Sequence, residues 1–164
     1  MNELDQALRR HDPDRWLSSR FVTDPDKRSK LVALYALDDA WARVAAQVTT
    51  PLAGEIRLAW WRDAVESFAA GGPAEHPALE ALGREAAARL QPWLQSVIEA
   101  GHADLEALED QGDAAAEARI DAGEGLLMAA AASLLDPFSA PESIRHAARA
   151  WGWARRRHPV RPPA

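Results

Sequence analysis

Apolar positions along this chain recur with a period near 3.6 residues, and no stretch alternates convincingly with a period of two. That pattern predicts an all-α domain. The punctuation agrees with it. Asp12-Pro13 and Asp24-Pro25 each set a capping carboxylate before a first-turn proline, and Thr50-Pro51 does the same with a hydroxyl. Ser139 with Glu142 makes a capping-box pattern. Gly71-Gly72-Pro73 breaks the chain, His76-Pro77 restarts it, and Gln91-Pro92 marks a further boundary. These signals predict helices over 3–10, 13–20, 25–48, 51–70, 77–90, 92–100, 103–110, 114–135 and 140–156. One domain over 1–154 is expected, followed by a basic, proline-rich, disordered tail at 155–164.

On a helical wheel at about 100° per residue, Leu31, Leu34, Tyr35, Trp41, Ala42, Ala45 and Val48 form one stripe of helix 25–48. Asp38 falls in the middle of that stripe, where a carboxylate is costly unless it is paired, hydrogen-bonded or facing a wet cavity. Asp39 lies toward the edge, in reach of Arg43 at i+4. Asp38 is therefore either a satisfied core carboxylate or a group that binds a cation, a diphosphate or a partner.

Helix 51–70 is apolar nearly all round. Leu52, Ile56, Ala59 and Trp60 line one side, and Leu58, Trp61, Val65 and Phe68 the other. Such a helix is expected at the centre of a bundle, with neighbours on both faces. Its charges, Glu55, Arg57, Arg62, Asp63 and Glu66, must then pair or reach the helix rim, Arg62 and Glu66 being suitably spaced at i,i+4. Tyr35, Asp38, Asp39, Arg57, Trp60, Trp61, Arg62 and Asp63 together form the candidate groove for a ligand or partner. Ion pairing and core filling are the plainer roles for the same residues.

With 164 residues, 27% charged and 48% hydrophobic, the composition is that of a globular domain. A net charge of −6 disfavours general nucleic-acid binding. The absence of cysteine removes disulfides, thiolate metal sites and cysteine nucleophiles. No apolar run reaches the roughly 20 residues of a membrane helix, and MNELDQALRR lacks the apolar core of a secretory signal. A cytoplasmic protein is expected, peripheral membrane contact remaining open. Lys27 and Lys30 are the only lysines among many arginines and alanines, which points to a GC-rich bacterial coding sequence.

His11, His76, His102, His146 and His158 show no helical metal spacing, and nucleophile-elbow, Walker and dinucleotide motifs are absent. No metal site and no catalytic residue is assigned. Gly123-Glu124-Gly125 reads as a loosened or closely packed point within a helix. The acidic run Asp104, Glu106, Glu109, Asp110 and Asp113 reads as a solvated surface. Arg155, Arg156, Arg157 and Arg161 could touch anionic lipid, at about 1 kcal/mol each.

The segments ALYAL at 33–37, PLAGEIRLAWWRDA at 51–64 and HPALEAL at 76–82 resemble the squalene/phytoene synthase family in order and spacing. The region from Leu105 to Leu135 is similar to the acidic loop and alanine-rich helix that follow. The resemblance covers roughly residues 13–155 and implies a shortened isoprenoid-synthase-like helical bundle. Active members join two prenyl diphosphates head to head, using Mg²⁺ held by two aspartate-rich helical motifs. Aligned through ALYAL, the first motif falls on Ala42-Arg43-Val44-Ala45-Ala46, with alanine at both aspartate positions. Asp38 and Asp39 lie a turn too early and point about 100° apart. The second motif would follow helix 140–156, where the sequence reads RRRHPVRPPA.

The resemblance thus implies a member without prenyl transfer and without a cofactor, Mg²⁺ entering only if the chain is an enzyme. It is nearest the branch of the mitochondrial complex I assembly factor with a phytoene-synthase-like domain, through ARVAAQV followed by PLAGEIRLAWWRD. That branch implies a protein partner or membrane lipid at the inner face of the cytoplasmic membrane. The alternative is a prenyl-diphosphate-binding transferase, or part of one completed by a partner chain, in which Arg57 and Arg62 hold the diphosphate.

Overall fold

A computed structural model describes residues 2–48, 50–106, 112–136, 138 and 141–157. In chain order the helices are α1 (Glu3–His11), α2 (Pro13–Ser19), α3 (Pro25–Gln47), α4 (Pro51–Ala69), α5 (Pro77–Leu82), α6 (Arg84–Glu106), α7 (Gly112–Ile120), α8 (Leu126–Leu135) and α9 (Pro141–Arg157). A π-helical turn, Asp121–Gly125, joins α7 to α8. No strand occurs among the described residues, in agreement with the all-α expectation.

The helix starts follow their caps. The carboxylates of Asp12 and Asp24 and the hydroxyl of Thr50 accept first-turn backbone N–H groups, each with proline at the next position. His76 caps α5 through Nδ1, which accepts from the N–H of Ala78 at 3.2 Å. Ser139 of the expected capping box lies outside the described residues, as do 107–111 of the acidic run and the final residues 158–164.

The break expected at Gln91-Pro92 falls instead at Gly83, whose φ of +83° suits glycine alone. Helix α6 then runs unbroken through Pro92. That proline is exposed, as is Ala88 one turn earlier, so the carbonyl that loses its intrahelical donor can turn to solvent.

The core forms around α3, which packs against α1, α2, α4, α5, α6 and α8. Leu34 and Leu37 of α3 are completely buried with Leu79, Leu82, Leu90 and Leu94 of α5 and α6. Helix α4 is not the central one, contrary to the sequence expectation. Its Leu58, Trp61, Val65 and Phe68 face is buried, but Leu52 and Ile56 on the other side are 64% and 63% exposed, and Trp60 is 41% exposed. Apolarity all round a helix therefore marks two different faces here, one packed in the core and one open.

Helix α9 closes the bundle over α7 and the π turn. Gly152 permits that approach, because a Cβ there would lie 2.5 Å from Cγ2 of Ile120. Arg149 reinforces the crossing, donating to Asp121 at 2.7 and 2.5 Å and pairing with Glu117 at 2.6 Å. We expect Gly152→Ala to overpack this crossing and to cost about 1–3 kcal/mol in denaturant unfolding; an unchanged midpoint would show that α9 is free to shift outward.

Candidate functional site

The N-terminal turn of α2, the middle of α3, the π turn and the end of α9 meet around one guanidinium. Arg15 is only 6% exposed. Its Nη1 donates to Oδ2 of Asp38 at 2.5 Å and its Nη2 to Oε2 of Glu124 at 2.7 Å. Asp12 stands beside it, Nε to Oδ2 at 3.6 Å, while its other oxygen accepts the Arg15 backbone N–H at 3.0 Å. Arg155 reaches in from α9 to Asp12 at 3.1 Å and Glu124 at 3.8 Å. The Tyr35 ring lies under the Arg15 guanidinium at 5.2 Å, a cation–π contact.

Local structure places each group. Asp12 closes the bend between α1 and α2 as a cap, so its carboxylate is fixed at the helix start. Tyr35 and Asp38 are three apart on α3 and share a face. Glu124 sits in the π turn between two glycines, and the wider turn changes the facing of the residues around it.

Burial by itself would lower the Arg15 pKa, but the charges of Asp38, Glu124 and Asp12 outweigh it and hold the group above its ordinary value. Glu124 responds the other way. Burial raises its pKa, and the opposing pull of Arg15 is insufficient, since Asp38 shares that cation. Burial likewise raises the Tyr35 pKa, which keeps the phenol protonated. Three carboxylates face two guanidiniums, so a protonated Glu124 would make the cluster electroneutral.

The cluster forms a wall between two cavities. A cavity of about 500 Å³ lies on one side, lined by Asp38, Trp41, Ala42, Arg119, Glu124 and Arg155 among others. A second, of about 430 Å³, lies on the other, lined by Arg15, Phe21, Tyr35, Glu124, Met128 and Trp151 among others. Glu124 belongs to both walls. Arg119 is half-buried and has no ion pair among the described residues. The indole N–H of Trp41 is buried without an acceptor among them.

Of the groove residues read from the sequence, the structure gathers Tyr35 and Asp38 at this cluster. Asp39 belongs to a neighbouring one, pairing with Arg43 at 2.9 Å, while Arg43 donates to Nδ1 of His11 at 2.7 Å. Trp61 is core, edge-on to Trp41 and to Trp60. Arg57, Trp60, Arg62 and Asp63 sit on the open side of α4, and Arg62 meets Asp63 at 3.5 Å, not Glu66. They form no part of either cavity wall. Ala42, placed on the apolar stripe by the wheel, is exposed at the mouth of the larger cavity.

Four central groups carried no such signal. Asp12 read as a cap, Arg15 was not singled out, Glu124 fell in a loosened or closely packed point within a helix, and Arg155 read as tail. Residues 155–157 are in fact helical, and Arg155 points inward. The one available signal was Glu124 set between two glycines just before the apolar run that begins at Leu126.

The fold and site define an all-α bundle with two open cavities beside a charged cluster. The chain belongs to the squalene/phytoene synthase family, whose model matches residues 8–155. No curated protein and no solved structure matches it.

Replacing Arg15 by Met should leave three acidic groups without their common cation and cost about 3–5 kcal/mol in chemical denaturation; a loss under about 1 kcal/mol would show that water already screens the cluster. Glu124 gives a pH signature. A carboxyl with a raised folded-state pKa stabilises fully below its ordinary value of 4.5 and loses that contribution as pH rises through the raised value. The stability of the wild type relative to Glu124→Gln should therefore fall as pH is raised from about 4.5. A difference that grows over the same range contradicts this assignment.

Proposed function

We propose that this chain is a member of the squalene/phytoene synthase family that acts by binding and not by prenyl transfer. The observation that carries the reading is Arg15, which occupies the space between Asp12, Asp38 and Glu124 as their counter-ion. Prenyl transfer needs open carboxylate oxygens to hold Mg²⁺ against a diphosphate. Here the inward carboxylates already neutralise an internal cation, and alanine stands at position 42 on the cavity mouth. These residues do not fit a Mg²⁺ cluster.

The specific form of the proposal is a role in assembling respiratory complex I, through a protein partner or membrane lipid at the inner face of the cytoplasmic membrane. Its support is the resemblance of ARVAAQV and PLAGEIRLAWWRD to the assembly-factor branch. Deleting the gene should leave prenyl products unchanged and lower the amount of assembled complex I. Normal complex I in the deletion strain would retire the assembly role.

A second reading, retained binding of a prenyl diphosphate, is favoured by Arg119 on the wall of the larger cavity, which has no ion pair among the described residues. Calorimetric titration with farnesyl and geranylgeranyl diphosphate, with and without Mg²⁺, separates the two. The main reading expects no magnesium-dependent heat, whereas magnesium-dependent micromolar binding would establish the second.

A further inference from the structure

Helix α4 turns an apolar stripe outward, and the charges around it are arranged to meet their own copy. Leu52, Ile56 and Trp60 recur every four residues on the side away from the core, 64%, 63% and 41% exposed. Trp60 is braced edge-on against the buried Trp61, ring centroids 4.9 Å apart. It is thus a rigid aromatic anchor, the kind of residue that dominates small interfaces. Glu55 and Arg62 both lie on one edge of this stripe, and Arg57 lies on the other. All three are exposed, and neither Glu55 nor Arg57 has an ion pair among the described residues. Among the described residues Arg62 pairs only with its sequence neighbour Asp63, at 3.5 Å.

We propose that α4 is a self-association surface, on which a second copy of this chain packs its own α4 antiparallel about a two-fold axis near Leu58 and Ala59. In such a pair each edge of the stripe meets the same edge of the other copy. Ile56 and Trp60 are symmetric about position 58, so each Ile56 faces Trp60 of the second copy. Glu55 and Arg62 are symmetric about nearly the same point, so each Glu55 meets Arg62 of the second copy. On the opposite edge Arg57 comes level with Trp60 of the second copy, in position for a cation–π contact. Asp63 sits one turn beyond the crossing and holds the contact to the central turns. A like-charged edge would oppose the two-fold arrangement; this one places unlike charges together twice.

Two large apolar side chains per copy, Ile56 and Trp60, bury less than the roughly 1,200 Å² of a stable interface, which sets the association in the weak, transient class. The surface is separate from the Arg15 cluster, so the proposal stands or falls independently of the binding function.

Sedimentation equilibrium of the full chain, from about 5 to about 300 μM, spans the range such an interface requires. A reversible monomer–dimer equilibrium is expected. Ile56→Glu, at an exposed position, should weaken it at least about tenfold with unchanged helical circular dichroism. Arg62→Glu sets glutamate against glutamate and should weaken it by a similar factor, whereas Glu55→Arg combined with Arg62→Glu restores the opposite pairing and returns the constant to within about threefold of wild type. A chain that stays monomeric throughout overturns the proposal. So does a dimer whose charge-reversed double variant is no tighter than Arg62→Glu alone.

Discussion

A guanidinium taken out of water must be neutralised, and that requirement organises this molecule. Arg15 keeps 7% of its side-chain exposure and cannot release its proton, so only carboxylates and hydrogen bonds can offset its desolvation. The carboxylates come from the cap of α2, the middle of α3 and the π turn, and Arg155 from α9 shares Oδ2 of Asp12 and meets the other oxygen of Glu124. One cation thereby links residues near the two ends of the described chain. An apolar replacement of the whole cluster would fill the space as well. What the ionic arrangement adds is register, because the fork of the guanidinium accepts its partners in one geometry.

That geometry explains why the wall between the cavities is made where it is. Glu124 faces both cavities, and burial disfavours the charged form of its carboxyl. Its support is a π turn tied to α9 by the Asp121 and Glu117 pairs with Arg149. A shift of α9 therefore acts on Glu124 by two routes, through its backbone turn and through Arg155. The cluster, the π turn and the α9 crossing at Gly152 form one mechanical unit.

Local signals in the sequence carried the helices well, because caps, prolines and a 3.6-residue period act over a few residues. Asp12, Asp24, Thr50 and His76 all start the helices they were read to start. The exception at Pro92 arises because a proline on the solvent side of a helix loses one hydrogen bond that water can replace, whereas Gly83 breaks the helix by supplying a positive φ. The site was legible only at Tyr35 and Asp38, where a carboxylate inside an apolar stripe demanded a partner. Its partner lay 23 positions away in Arg15, and Glu124 another 109 from that arginine. No periodicity spans such distances. Arg155 was hidden by its company, since three arginines before a proline-rich end read as solvated tail, while the fold turns the first of them inward.

The contrast between α3 and α4 shows how a family scaffold accommodates changed chemistry. In sequence α3 carries one apolar stripe and α4 is apolar nearly all round, but it is α3 that is enclosed, so only α3 constrains what the interior charges can be. Its Asp38 is held by Arg15 at 2.5 Å, and a side chain committed to an internal cation is a poor ligand for an external one. On the proposed reading, the cation that the family's chemistry borrows from solution is here built into the chain. Helix α4 carries no such obligation. Its Leu52 and Ile56 point away from the core and Trp60 is only partly covered, and keeping large apolar side chains in water is unfavourable unless something covers them. Interior charge and exterior apolarity are thus two forms of the same imbalance, and each is resolved by a partner: Arg15 within the chain, and a second α4 outside it.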